Sequence, residues 1–468
     1  MGAGPAPGSE GGYHLVAFDA AGNERPGTTG PHSGRLSGSL AEEAPTDVFV
    51  LSHGWNGDVP AARRQYGAWV AAMAGCPADR EAAEARPGGF RPVVVGIHWP
   101  SRAWGDEDLG PASFGVPADD GPAPQPGEAD GATRLVESSV AALGDTPAVR
   151  DPVRRIVDSA LEDPVPFTLP ASVREAYERL DAALHLGAEG EGAPPGDDRA
   201  PFDAEAVYQA CLMEELVSFG GTSLGGLLAP LRVLTFWHMK RRARDVGAGG
   251  VATLLSMLQE AAPAARFHLM GHSFGCIVVS SAVAGPRPAG RPVSSLVLVQ
   301  GAMSLWSFCS AIPSAPERPG FFHRVLADGL VTGPVVVTTS VHDRAVRTFY
   351  PIGAGARGQV DYGPDRLPTY GAIGTFGLRG PGIRVVDDDL HPVDQPYDLQ
   401  PRVVHDLRAD DVICDSAGVM GAHSDITKPA VAHAVWQAAL AAPAGTPAGQ
   451  GQQSGASPYS SHRAGGRS

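Results

Sequence analysis

The apolar residues Phe267, Leu269 and Met270 lead without a spacer into Gly271-His272-Ser273-Phe274-Gly275, and a small-residue apolar stretch from Ile277 to Ala284 follows. The first run has the length of a buried strand, and the last reads as a helix. A chain that passes from strand to helix within five residues must hold the residue at the tip in a strained conformation. The flanking positions must be glycine, because a Cβ there would strike the neighbouring strand or helix. This stretch therefore demands an architecture in which a sheet meets a helix layer at a sharp elbow.

The pattern G-x-S-x-G by itself is weak, since a chain with 60 Gly among 468 residues gives roughly half a match by chance. A second match, Gly221-Thr222-Ser223-Leu224-Gly225, is indeed present. The run before it, Cys211 to Val217, has helical spacing, and Pro230 soon follows it. Strand and helix context surrounds Ser273 and is missing around Ser223, which is set aside as a decoy.

In chain order, Tyr13 to Phe18 reads as a first strand, and the Gly/Pro/Ser-rich stretch to about 45 as a loop. Asp47 to Ser52 is short, β-branched and bounded by turn residues, which marks a buried strand. It runs into His53-Gly54-Trp55-Asn56-Gly57, then a helix from about Ala61 to Ala74, then a strand at Pro92 to Pro100. A Pro/Gly/Asp-rich loop (105–131) opens a long interruption with helical patterns at 132–162, 171–186, 203–218 and 226–245, broken by an acidic Gly/Pro stretch at 188–201. The helix Val251 to Ala261 rejoins the sheet layer. Strands are expected at Ser295 to Val299, Val335 to Val341, Ile383 to Val386 and near Arg402 to His405, with a final helix over Thr427 to Ala441.

Strands alternating with helices imply an α/β fold, a mostly parallel sheet with helices on both faces, carrying a helical insertion. The expected layout is a disordered leader (1–11), a first core segment (12–100), a cap- or lid-like insertion (101–245), a second core segment (246–441) and a disordered tail (442–468). With 43% hydrophobic residues the core is sizeable, and a formal net charge of -15 argues against a nucleic-acid partner. Lys240-Arg241-Arg242-Ala243-Arg244 reads as a helix C-terminal charge pattern. Five scattered cysteines suggest free thiols. No signal-peptide pattern is found at Met1 to Pro5, and Phe219 to Trp237 is too rich in Gly, Pro and Arg for a transmembrane helix, so a cytoplasmic protein is expected.

A serine hydroxyl needs a base for its proton, an acid to hold that base, and donors for an oxyanion. His423, in the small-residue loop Gly421-Ala422-His423-Ser424-Asp425, is the favoured base; His405 sits in a strand-like run and His462 in the tail. Asp343 directly follows the strand ending at Val341, where site residues of open α/β sheets collect, and it suits an N-cap equally well. Asp387, Asp388, Asp389 and Asp411 remain open as the acid. The elbow offers the Phe274 amide, and the loop after the earlier strand offers the Trp55 amide.

Together these residues resemble the α/β-hydrolase family: Ser, Asp and His follow its chain order, and His53-Gly54-Trp55 is similar to its oxyanion loop. The resemblance covers roughly 45–100 and 248–441. It implies Ser273 as nucleophile, Asp343 as acid, His423 as base, and the Trp55 and Phe274 amides as oxyanion donors. His53, Gly54, Trp99 and His272 complete the candidate substrate-binding set, and Leu227, Leu228, Leu231, Val233, Leu234, Phe236 and Trp237 offer an apolar wall. The expected activity is hydrolysis of an acyl ester or lipid, of the carboxylesterase or lipase kind, through an acyl-Ser273 intermediate. No metal or organic cofactor is expected, since no His-x-x-x-His or Cys/His cluster argues for a metal. A peptidase, thioesterase or acyltransferase would use the same residues, and a non-catalytic relative serving as a binding module is the reading from another class.

Overall fold

The computed structural model describes residues 12–27, 30–55, 57–101, 128–217, 226–285, 291–354, 367–415 and 421–443. The leader, Ser223, Asn56, His462, most of the 105–131 loop and all of the tail beyond 443 lie outside the described residues.

Eight strands form one sheet: β1 (His14–Ala17), β2 (Asp47–Ser52), β3 (Pro92–His98), β4 (Arg266–His272), β5 (Ser295–Val299), β6 (Val335–Thr339), β7 (Val385–Asp389) and β8 (Val404–Arg408). Their order is β1-β3-β2-β4-β5-β6-β8-β7, and every neighbouring pair is parallel. Helices cover both faces, as the alternation along β2 shows. Val48 and Val50 enter a core built with the helices His32–Glu43, Ala252–Ala261 and Gly275–Ala284. Phe49 and Leu51 enter another, built with Val59–Ala74, Pro77–Glu84 and Pro429–Leu440. Continuous apolar runs are what a sheet buried on both faces requires. This is an α/β architecture with one parallel sheet.

Several expectations are corrected. The stretch before 45 carries a helix, His32–Glu43, whose Leu36 and Leu40 face the core at i and i+4. Its start is satisfied from a distance: the Glu24 carboxylate accepts from the His32 and Ser33 amides at 2.5 and 3.0 Å. The helix expected over 132–162 is two, Glu128–Leu143 and Pro147–Glu162, separated where Gly144 takes a φ of 113°. The triple aspartate 387–389 lies on the exposed edge strand β7, where Asp387 and Asp389 pair with Arg379 and Arg408.

The helices of the insertion share a core of their own, with Val153, Ile156, Val173, Tyr177, Leu180 and Leu231 among its members. The boundary expected at 245/246 falls inside a continuous helical run: Ala229–Val246 passes through a π-helical turn, Gly247–Val251, into Ala252–Ala261. Met239, Ala243 and Val246 in this run pack into the same core as the helix Gly275–Ala284.

The basic cluster is a clasp and not a simple terminal charge pattern. Lys240 is fully buried, its Nζ 2.6 Å from Asp198 Oδ2 and 2.8 Å from the Tyr350 hydroxyl. Arg241 and Arg244 both pair with Asp197. Asp197 and Asp198 tie the acidic stretch 188–201 to the basic helix.

Candidate active site

The chain leaves β2 towards β3 on one side and β4 towards β5 on the other, so the carboxyl ends of β2 and β4 flank a topological switch point. Open α/β sheets collect ligands at such crevices. The register sets what meets there: Leu51 lies beside Met270 and Ser52 beside Gly271, which carries His53 and Gly54 alongside His272 and Ser273.

Ser273 sits at the tip of the elbow with a φ of 54°, a left-handed conformation that a non-glycine residue adopts at a cost. The turn is held by backbone hydrogen bonds, the Ser273 N–H donating to the carbonyl of Val299 on β5 at 3.1 Å and the Ser273 carbonyl accepting from the Cys276 N–H at 3.1 Å. The two flanking glycines are required by close approach. A Cβ on Gly271 would stand 2.4 Å from the Gly275 backbone, and one on Gly275 would stand 2.3 Å from the Ser52 carbonyl oxygen. Gly54 is equally tight, since its Cβ would lie 2.8 Å from that of Ser273.

Ser273 Oγ lies 2.9 Å from His423 Nε2, and His423 Nδ1 lies 2.7 Å from Asp343 Oδ2. Ser273 is 4% exposed and Asp343 fully buried, while the His423 side chain keeps 13% of its surface. Asp343 uses both oxygens, because Oδ1 accepts from the Val346 N–H at 3.2 Å and caps the turn that follows. The loops that carry Asp343 and His423 are joined directly: Asp343 bridges Gly421, and the Ala422 N–H donates to the His342 carbonyl at 2.9 Å. Among the described residues Asp343 is the carboxylate that meets His423; Asp387 and Asp389 are engaged elsewhere and Asp411 is exposed. His405, on β8, accepts the N–H of Gln400 from the segment before that strand.

This Ser–His–Asp chain of hydrogen bonds can move a proton off the hydroxyl, provided Nδ1 carries its proton towards Asp343 and leaves Nε2 open to Oγ. The N-terminus of the helix Gly275–Ala284 abuts it, with Phe274 at its N-cap. Trp55 and Phe274 are neighbours, their rings 5.9 Å apart, and Phe236 from the insertion packs on both at 5.7 and 4.8 Å. Trp55 and Phe236 are partly buried, so an apolar wall with open faces stands beside the elbow.

Of the expected substrate-binding residues, Gly54 lines the elbow and the other three are turned to protein partners. Trp99 is 0% exposed, and its indole donates to the His53 carbonyl at 3.0 Å. His53 is buried between His98 and Trp99, with its amide bonded to the Tyr66 hydroxyl and its Nδ1 donating to the Gly54 carbonyl at 2.8 Å. Burial and the neighbouring His98 push its pKa down to about 3, so this ring stays neutral and works as a strut for the loop. His272 engages both ring nitrogens, one with Gln65 and one with the His423 carbonyl. Gln65 escaped notice in the sequence because nothing local distinguishes it from other polar helix residues.

The other expected wall residues divide. Leu227, Leu231 and Leu234 belong to the core of the insertion, and Trp237 donates to the Gly353 carbonyl at 2.8 Å. Comparison of the chain with family models, curated proteins and solved structures finds no match. Among the described residues no helix is long and apolar enough to cross a membrane.

Proposed function

We propose that the chain is a serine hydrolase of the α/β-hydrolase kind that cleaves an acyl ester or lipid. One observation carries this reading: Ser273 Oγ, His423 and Asp343, drawn from three distant segments, form a hydrogen-bonded chain of 2.9 and 2.7 Å at the switch point of the sheet.

In the proposed reaction Ser273 Oγ attacks the ester carbonyl carbon while His423 Nε2 takes its proton. The new oxyanion is received by the amides of Phe274 and Trp55, where each such donor is worth about a hundred- to a thousandfold in rate. Collapse breaks the bond to the alcohol oxygen, His423 returns the proton to it, and acyl-Ser273 remains. Water activated by the same Nε2 then attacks the acyl carbon and releases the acid. Asp343, buried and accepting from Nδ1, fixes the tautomer and stabilises the imidazolium that forms. The wall of Trp55 and Phe236, backed by the buried Phe274, favours an apolar acyl group over a charged one.

Ser273→Ala is expected to abolish both p-nitrophenyl ester hydrolysis and labelling by a fluorophosphonate probe. Labelling at Ser223, or full activity in the variant, overturns the assignment. A series of esters of increasing chain length then tests the apolar wall.

A further inference from the structure

The base has a second attachment, on its backbone side. His272, the residue before the elbow tip, lies at the end of β4 with 5% of its surface exposed. Its Nε2 is 2.9 Å from the carbonyl oxygen of His423. A carbonyl can only accept, so Nε2 carries the ring's proton. The other nitrogen, Nδ1, must then be an acceptor, and it faces the Gln65 side-chain amide at 3.3 Å. Gln65 stands on the helix Val59–Ala74, which follows the Gly54-Trp55 loop. The His272 and His423 rings are 5.0 Å apart, and a Cβ on Gly54 would lie 3.1 Å from His272 Nδ1.

We infer that Gln65 and His272 are positioning residues for the base: Gln65 holds His272 in its Nε2–H tautomer, and that N–H anchors the His423 carbonyl. Asp343 fixes the imidazole from its ring side and this relay fixes the residue from its backbone. The nucleophile turn, the Gly54 loop and the base loop are thereby referenced to one side chain. The inference rests on the hydrolase reading of the same site, because a base needs positioning only where Ser273 reacts.

The test is the pair His272→Gln and His272→Asn, with Gln65→Met beside them. A glutamine amide nitrogen reaches the position of Nε2 and still donates to the carbonyl; an asparagine amide is of the same polarity but too short. The probes are a p-nitrophenyl ester and a fluorophosphonate reacting with Ser273. Loss of the anchor is expected to lower kcat and the labelling rate about tenfold in His272→Asn, with KM within about twofold, and His272→Gln recovers most of that loss. Gln65→Met lowers both rates in the same sense, with the fold retained. Equal rates in the Gln and Asn variants, a loss confined to KM, or an unaffected Gln65→Met overturns the relay. Ser273→Ala in parallel separates the two readings, since a wild-type protein that neither turns over ester nor labels at Ser273 fails as a hydrolase. The downfield imidazole proton between His423 and Asp343 serves in that case. It is expected to stay sharp in His272→Gln and broaden in His272→Asn, and equal line shapes overturn the anchor.

Discussion

Replacing Asp343 by asparagine separates its two jobs, because each carboxylate oxygen has a different donor. Oδ2 takes the His423 Nδ1–H at 2.7 Å and Oδ1 takes the Val346 N–H at 3.2 Å. An amide has one acceptor and one donor end, so it can satisfy only one of these. With its oxygen towards His423, its NH2 faces the Val346 N–H, and two buried donors in opposition cost about 2 kcal/mol. The amide therefore turns its oxygen to Val346 and its NH2 to Nδ1. The imidazole responds by placing its proton on Nε2, which can no longer accept from Ser273. Flipping back costs that 2 kcal/mol, and loss of the charge-assisted bond to the imidazolium adds about 1.5–3 kcal/mol. The sum of about 3.5–5 kcal/mol corresponds to a fall of roughly 400- to 5,000-fold in kcat/KM. The assay is p-nitrophenyl ester hydrolysis with fluorophosphonate labelling as a second readout, and the preserved cap keeps the melting temperature close to that of the wild type. Activity within tenfold of wild type would refute the tautomer argument.

Gly54→Ala places a Cβ 2.8 Å from that of Ser273 and is expected to slow phosphonate labelling about 10²-fold by displacing the elbow; a rate within threefold of wild type contradicts this. Glu191→Gln tests a buried carboxyl whose pKa is raised from 4.5 to about 8 by burial and the nearby Asp198, with Ser304 as its hydrogen-bond partner. Between those values the unfolded chain has lost a proton that the folded chain keeps, so wild-type stability falls as pH rises through this window, by at most about 1.4 kcal/mol per pH unit. The glutamine variant is then expected to gain on the wild type in chemical denaturation from pH 5 to pH 8.5, and an equal difference at both pH values removes the effect from Glu191.

The sheet was legible where each strand announced itself. Asp47–Ser52 and Ser295–Val299 are short, β-branched and bounded by turn residues, and the structure gives those strands the same limits. Ser273, Asp343 and His423 could be singled out because an elbow, a strand end and a small-residue loop each leave a local pattern, and the fold brings the three within hydrogen-bonding distance. What stayed hidden depends on distant partners. The helix His32–Glu43 lacks a local cap and takes Glu24 instead. Lys240 looks like a terminal charge until Asp198 and Tyr350 are placed against it. Trp99 ends a strand, as a site residue would, yet the stacking of His53 over it turns it inwards. Gln65 and His272 lie 207 positions apart, and only the β2–β4 register brings them together.

The uninterrupted helical run from Ala229 to Ala261 sets terms for anyone who would exchange the insertion. A cassette cut at 245/246 would sever a rod whose Phe236 leans on Phe274 and whose Met239, Ala243 and Val246 share a core with the helix behind Ser273. Shape could not then be altered without loosening the turn that holds Ser273. Grafts that spare the elbow must keep this rod with the recipient and join ahead of Ala229, so that the transplanted portion ends with the helix Ala204–Val217. The last helix of the insertion accordingly belongs to the scaffold, and it keeps Phe236 of the apolar wall with it.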